Sequence, residues 1–84
     1  MASLNFLTSY SSNIEDVTTN PPSVRLFVDD KGLCSTIIRG IDVGQTCTND
    51  EDLVYTDKDL SNIAPDGYYY FSGRILHIIN GYTQ

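Results

Sequence analysis

Any catalytic reading of this sequence begins at its single histidine, His77. Nucleophilic catalysis needs a nucleophile, a base and an orienting group within hydrogen-bond reach. His77 instead sits in Ile75-Leu76-His77-Ile78-Ile79, an apolar strand-like run. A histidine there reads as an edge or interface residue, and at a subunit contact it would make assembly pH-sensitive. Paired carboxylates for glycoside hydrolysis need a cleft, which a chain this short can hardly build. Asp57-x-Asp59-x-Ser61 opens like a calcium loop and then departs from it. Asn62 stands where the turn needs Gly, and Tyr68 stands where a bidentate Glu would close the site. The stretch reads as a solvated acidic loop, and so does Asn49-Asp50-Glu51-Asp52; weak calcium binding by either is the competing reading. Cys34 and Cys47 match no zinc spacing. A bridge between them is geometrically open. The chain shows no basic start leading into an apolar run, so we expect a reducing cytoplasm and free thiols. No Gly-rich phosphate loop is present. We therefore expect no catalytic residue, no metal site, no cofactor and no enzymatic activity.

Composition narrows the remaining classes. The chain has 84 residues, 11 acidic against 5 basic side chains, and a formal charge of −6. That length allows one domain with a thin core. The charge argues against direct nucleic-acid binding, which needs clustered Lys and Arg. It argues equally against an anionic membrane surface. No apolar stretch approaches the ~20 residues of a membrane span.

The first 22 residues differ from the rest. They are rich in Ser, Thr and Asn, with apolar residues at 4, 7, 10, 14 and 17, a spacing that fits a helix face. Ser, Thr and Asn are mediocre helix formers, however. Asn20-Pro21-Pro22 then stops any helix and forces an extended connection. We read 1–22 as an N-terminal arm and 23–84 as a single β domain. One reading of the arm is a frayed terminus; the other, since Leu4, Phe6, Leu7 and Tyr10 want burial, is an arm that orders on a neighbouring subunit. Removing residues 1–20 should then abolish docking and leave the β domain folded.

From Ser23 onward the pattern is all-β. Val24, Leu26 and Val28 alternate onto one face. Asp29-Asp30-Lys31-Gly32 reads as a hairpin loop with Leu33–Arg39 as its partner strand. Gly40 suggests a bulge or bend, and Ile41 to Thr46 a short strand. Leu53–Thr56, Tyr68–Phe71 and Ile75–Ile79 complete the strands. Asn80-Gly81 is the strongest turn signal, with only a stub after it. This predicts a small antiparallel β-sandwich or partly open barrel of about five to seven short strands, with an extended N-terminal arm. Tyr68–Phe71 and Ile75–Ile79 are apolar on both faces. A chain this small can hardly cover both, which hints at burial against another copy or another protein; the competing reading is that Tyr spans the boundary, ring buried and hydroxyl wet.

Val54-Tyr55-Thr56-Asp57-x-x-Leu60, then Ala64-Pro65-Asp66-Gly67-Tyr68-Tyr69, Ser72-Gly73 and Ile75-x-x-Ile78-x-Asn80-Gly81, follow Val43-Gly44. The run resembles a short β motif of virion structural and fibre-type proteins of tailed phages, and of some bacterial surface proteins. It covers about residues 43–82. The resemblance implies a non-enzymatic surface or assembly module and no catalytic residues. On its own physics, Asp57 can start a turn, Leu60 and Ile63 point back as a plug, and Pro65-Asp66-Gly67 turns the chain into Tyr68. A compact three-stranded meander is expected.

The expected function is a structural protein of a tailed-phage virion, made in the host cytoplasm. Its most concrete form is a small capsid decoration or cement protein, or a head-fibre or tail adaptor. The expected partner is the major capsid protein or another virion protein, with homo-oligomers, trimers foremost. The contact residues expected are Leu4, Phe6, Leu7, Tyr10, Tyr68, Tyr69, Tyr70, Phe71 and His77. The alternative is a small acidic phage inhibitor, of nucleic-acid-mimic type, binding a basic host protein. A sugar-binding module built on Tyr68–Tyr70 ranks below both.

Overall fold

A computed structural model describes residues 3–19, 21–29, 53–71 and 73–84. The strands expected at Leu33–Arg39 and Ile41–Thr46, the loops at Asp29–Gly32 and Asn49–Asp52, and both cysteines fall wholly or mostly outside the described residues. The described residues are all β. They form β1 (Ser3–Ser11), β2 (Ser23–Asp29), β3 (Val54–Tyr55), β4 (Gly67–Phe71), β5 (Arg74–Ile79) and β6 (Tyr82–Thr83). One antiparallel sheet runs in the order β3-β2-β1-β4-β5-β6 and curls into a nearly closed barrel.

The first strand corrects the arm expectation. Ser3–Ser11 lies at the middle of the sheet, paired with β2 from Ser3↔Asp29 to Ser9↔Ser23 and with β4 over Ser9–Ser11. It is neither a helix nor an appendage. The decisive period is two, not 3.6. Leu4, Phe6 and Tyr10 pack on the core, and Thr8 between them is buried. A helix face would have turned Leu7 inward with Leu4, yet Leu7 is 55% exposed. Five of the nine residues of Ser3–Ser11 are Ser, Thr or Asn, which gives the helix little intrinsic support. The Thr8 hydroxyl donates to the Val24 carbonyl, so its burial leaves no orphan group. Pro22 lacks an N–H but its carbonyl accepts from Tyr10 N–H at 3.0 Å, which lengthens the β1–β2 contact past the ladder.

Val24, Leu26 and Val28 share the inner face as their alternation requires, with Leu26 and Val28 fully buried. Val54, Ala64, Tyr69 and Ile78 complete the core. The motif does not fold as one meander from Tyr55 onward. β3 joins β2 on the far edge, and the meander is β4-β5-β6. Leu60 and Ile63 are not a buried plug. Leu60 adopts φ +58° in the turn, Ile63 is half-exposed, and Ala64 is the loop residue that enters the core.

The two sheet edges meet at the Asn80-Gly81 turn. Val54 N–H donates to the Gly81 carbonyl at 2.9 Å, and Ala64 N–H donates to the Val54 carbonyl at 2.9 Å. Asn80 and Gly81 take φ +55° and +84°, the pair of positive values that a type I′ hairpin demands. A Cβ on Gly81 would stand 2.4 Å from Ile63 Cγ2 and 2.9 Å from Leu53 Cδ2. Gly73 has a similar φ of +78° and nothing within 4 Å of its missing Cβ. Gly73→Ala should therefore cost only the left-handed backbone term, about 1 kcal/mol. Gly81→Ala should cost about 2–3 kcal/mol, because Leu53 must also give way. Urea midpoints of the two variants measure the difference. Equal losses would mean that the closure contact contributes nothing.

Candidate functional site

The strand periods sort the nine expected contact residues into two sets. Leu4, Phe6, Tyr10, Tyr69 and Phe71 belong to the inner face. Tyr69 is fully buried, its ring 4.9 Å from that of Tyr10, and the Phe6 and Phe71 rings are 4.5 Å apart. The four aromatic side chains hold β1 to β4, and Leu4, opposite Val28, packs on the core. Leu7, Tyr68, Tyr70 and His77 lie on the outer face.

The β4–β5 register brings that outer set together. Tyr68 faces His77 and Tyr70 faces Ile75, so each pair shares a side of the sheet. The Tyr68 and His77 rings stack, with centroids 4.4 Å apart and planes 14° off parallel. Across the other edge of β4, Tyr70 faces Ser9 and Tyr68 faces Ser11. Leu7, two residues before Ser9, extends the same face. Ile75 is 44% and Ile79 37% exposed. The result is a patch of two tyrosines, a histidine and three aliphatic side chains, edged by the Ser9 and Ser11 hydroxyls and by Arg25, which faces Leu7 from β2 and donates to Asn5 Oδ1 at 2.6 Å. Ile75 and Ile79 were not singled out from sequence, although the signal was there. Once Gly73 and Asn80-Gly81 fix the hairpin ends, Ile75 and Ile79 must share a face with His77.

His77 therefore sits in a stacked, aromatic setting. Its carbonyl accepts from Gln84 N–H at 2.8 Å, which ties the end of the chain beside it. Arg74, at the other end of β5, holds its guanidinium 5.9 Å above the Phe71 ring, a half-buried cation–π contact.

The acidic loop has a local structural role. The Asp57 carboxylate accepts from Ser61 N–H at 3.0 Å, from Asn62 N–H at 2.8 Å and from the Ser61 hydroxyl. The Ser61 hydroxyl and the Asn62 N–H hold the carboxyl below its usual range. This is the turn-starting role the residue type suggests. Among the described residues no three His, Cys, Asp or Glu side chains converge as metal ligands. No helix among them is long and apolar enough to cross a membrane.

Fold and face together define a small, nearly closed β barrel with an aromatic outer patch. The chain matches no known protein family, no curated protein and no solved structure.

Proposed function

We propose that this chain is a non-enzymatic assembly module. Its most concrete form is a small decoration or cement protein of a tailed-phage particle, made in the host cytoplasm and docking on a virion protein. The observation that carries the reading is the outer patch of Leu7, Tyr68, Tyr70, Ile75, His77 and Ile79. Contiguous apolar surface with aromatic rings and hydroxyls is the chemistry of protein interfaces. The likeness of Val54–Gly81 to a motif of virion proteins supplies the particle. A charge of −6 favours a protein over nucleic acid or an anionic membrane as partner.

The test is sedimentation of material from the native source, with this chain quantified across the gradient. The expected result is co-migration with virus-sized particles in many copies per particle. A chain that stays at the top as a small soluble species overturns the virion reading. Salt then separates the alternative, an acidic inhibitor of a basic host protein. Binding through carboxylates weakens steeply as salt rises, whereas docking through Tyr, Leu and Ile barely changes.

A further inference from the structure

Asn80-Gly81 is the only Asn-Gly pair of the chain; every other asparagine precedes Phe, Ile, Pro or Asp. An asparagine before glycine is the one most open to attack on its own side chain, because no Cβ shields the next backbone nitrogen. The reaction needs only water. The Gly81 nitrogen forms a bond to Asn80 Cγ, and the side-chain nitrogen leaves as ammonia with the proton that Gly81 N–H gives up. Water then opens the cyclic imide at either carbonyl. One opening leaves aspartate. The other leaves isoaspartate, whose main chain runs through Cβ and Cγ. Asn80 is exposed, so water reaches it, while Gly81 is buried.

We propose that Asn80 is a self-modification site gated by the closure of the barrel. The closed turn guards it. A type I′ turn sets ψ of its first central residue at roughly +30°. The Gly81 nitrogen then points nearly opposite the Asn80 Cβ about the Cα–C bond, whereas ring closure needs the two almost eclipsed. Three contacts hold the unreactive geometry. Asn80 N–H donates to the Asp66 carboxylate at 2.8 Å, and the Gly81 carbonyl accepts from Val54 N–H at 2.9 Å. Gly81 also packs so closely on Ile63 and Leu53 that a Cβ finds no room. These contacts are local. β3 and β6 are two residues long each, so this corner of the sheet can open without global unfolding. Once it is open, the Asn80 backbone rotates and the imide forms. Hydrolysis makes the change permanent. Isoaspartate adds a main-chain atom to the turn that holds Ile79 opposite Tyr82, which carries the Gly81 carbonyl away from Val54. Either product sets a second carboxylate beside that of Asp66. A reversible opening is thereby converted into a barrel that stays unlatched. This holds whether or not the chain is an assembly module.

Ageing the full chain at neutral pH tests this. Trypsin cleaves after Arg74 and releases residues 75–84, which carry no other asparagine. Mass spectrometry then reads the exchange of amide for acid, and the isoaspartyl peptide elutes apart from the aspartyl one. In native buffer Asn80 should react at least about tenfold more slowly than in urea above the unfolding transition. The rate should already rise in urea below that transition, because the opening is local. Asp66→Ala removes the tether on Asn80 N–H and should speed the reaction about tenfold, with an unchanged far-UV spectrum. Isolated isoaspartyl protein should show a lower urea midpoint and faster exchange of the Val54 amide than fresh protein. Equal rates in the folded and unfolded chain overturn the guard, and so does a folded Asp66→Ala that reacts at the wild-type rate. A wild-type rate that keeps its native value up to the global transition overturns it too, and this measurement serves if Asp66→Ala misfolds. Isoaspartyl protein with an unchanged midpoint and a protected Val54 amide overturns the latch.

Discussion

Deleting residues 1–11 is expected to abolish the fold, not merely docking. β1 is the strand through which the two halves of the sheet communicate. It pairs with β2 along seven residues and with β4 along three. Its removal leaves β2-β3 held to β4-β5-β6 chiefly by the closure at Val54 and Gly81 and exposes two new edges. It also takes Leu4, Phe6 and Tyr10 from the core. Burying each completely would be worth roughly 1.5–3 kcal/mol; all three are partly buried, so their loss removes about 3–6 kcal/mol. A chain of this size has a total stability of roughly 4–12 kcal/mol. The two quantities are of the same size, and the lost ladder adds to the deficit. The deleted chain should show a random-coil far-UV spectrum and collapsed amide dispersion. A cooperatively folded 12–84 fragment would return residues 1–11 to the status of an arm.

Leu4, Phe6, Leu7 and Tyr10 carry two superposed periods. Positions 4, 7, 10 fit a helix, and positions 4, 6, 10 fit a strand. The tie is broken by Thr8, a β-branched polar residue that a strand can bury because the Val24 carbonyl accepts its hydroxyl. That partner lies 16 residues away and is invisible to a local pattern. The later strands were legible because their turns are marked. Asn80-Gly81 fixes the β5–β6 register, and Pro65-Asp66-Gly67 fixes the entry to β4. The placement of β3 beside β2 was not legible. It depends on Val54 N–H finding the Gly81 carbonyl across the barrel, a non-local contact made by a two-residue strand.

The contact residues divide for the same reason. Tyr68, Tyr69, Tyr70 and Phe71 are chemically alike, and composition alone gives no reason to prefer one. Alternation assigns them in pairs, but only the buried neighbours say which pair faces inward. Gly67 decides it. A Cβ there would stand 2.6 Å from Tyr10 Cε1, so the Gly67 side of the strand is the packed one. Tyr69 and Phe71 follow it inward, and Tyr68 and Tyr70 are left outside.

Tyr69 is the single side chain whose truncation should cost the fold most. Its ring is fully buried, and its hydroxyl donates to the Pro65 carbonyl at 2.6 Å. Tyr10, whose ring lies tilted against it, donates to the Asp66 carbonyl at 2.9 Å, while the Asp66 carboxylate accepts from Asn80 N–H at 2.8 Å. Two tyrosines on adjacent strands thus clamp the turn that enters β4 and reach the turn that closes the barrel. Tyr69→Ala should cost about 3–5 kcal/mol, most of the stability available to so small a core. Tyr69→Phe keeps the packing. Pro65 is exposed, so water can take over its carbonyl, and the cost should be about 1 kcal/mol.

The two forms should also part at high pH. Burial pushes the Tyr69 phenol well above its ordinary value, with smaller contributions from Tyr10 and Asp66. A raised folded-state value means that the neutral phenol favours the fold. Its stabilising contribution is complete below the unfolded value of about 10 and is lost as pH rises from there toward the folded value. Wild-type stability should therefore fall more steeply than that of Tyr69→Phe above about pH 10, against the shared background of the other five tyrosines. Urea unfolding at neutral and alkaline pH measures the slopes, and phenolate absorbance should show one tyrosine of the wild type titrating only with unfolding. Parallel slopes, or six tyrosines titrating together in the folded protein, would mean that the Tyr69 hydroxyl is reached by solvent and that the clamp on Pro65 is not closed.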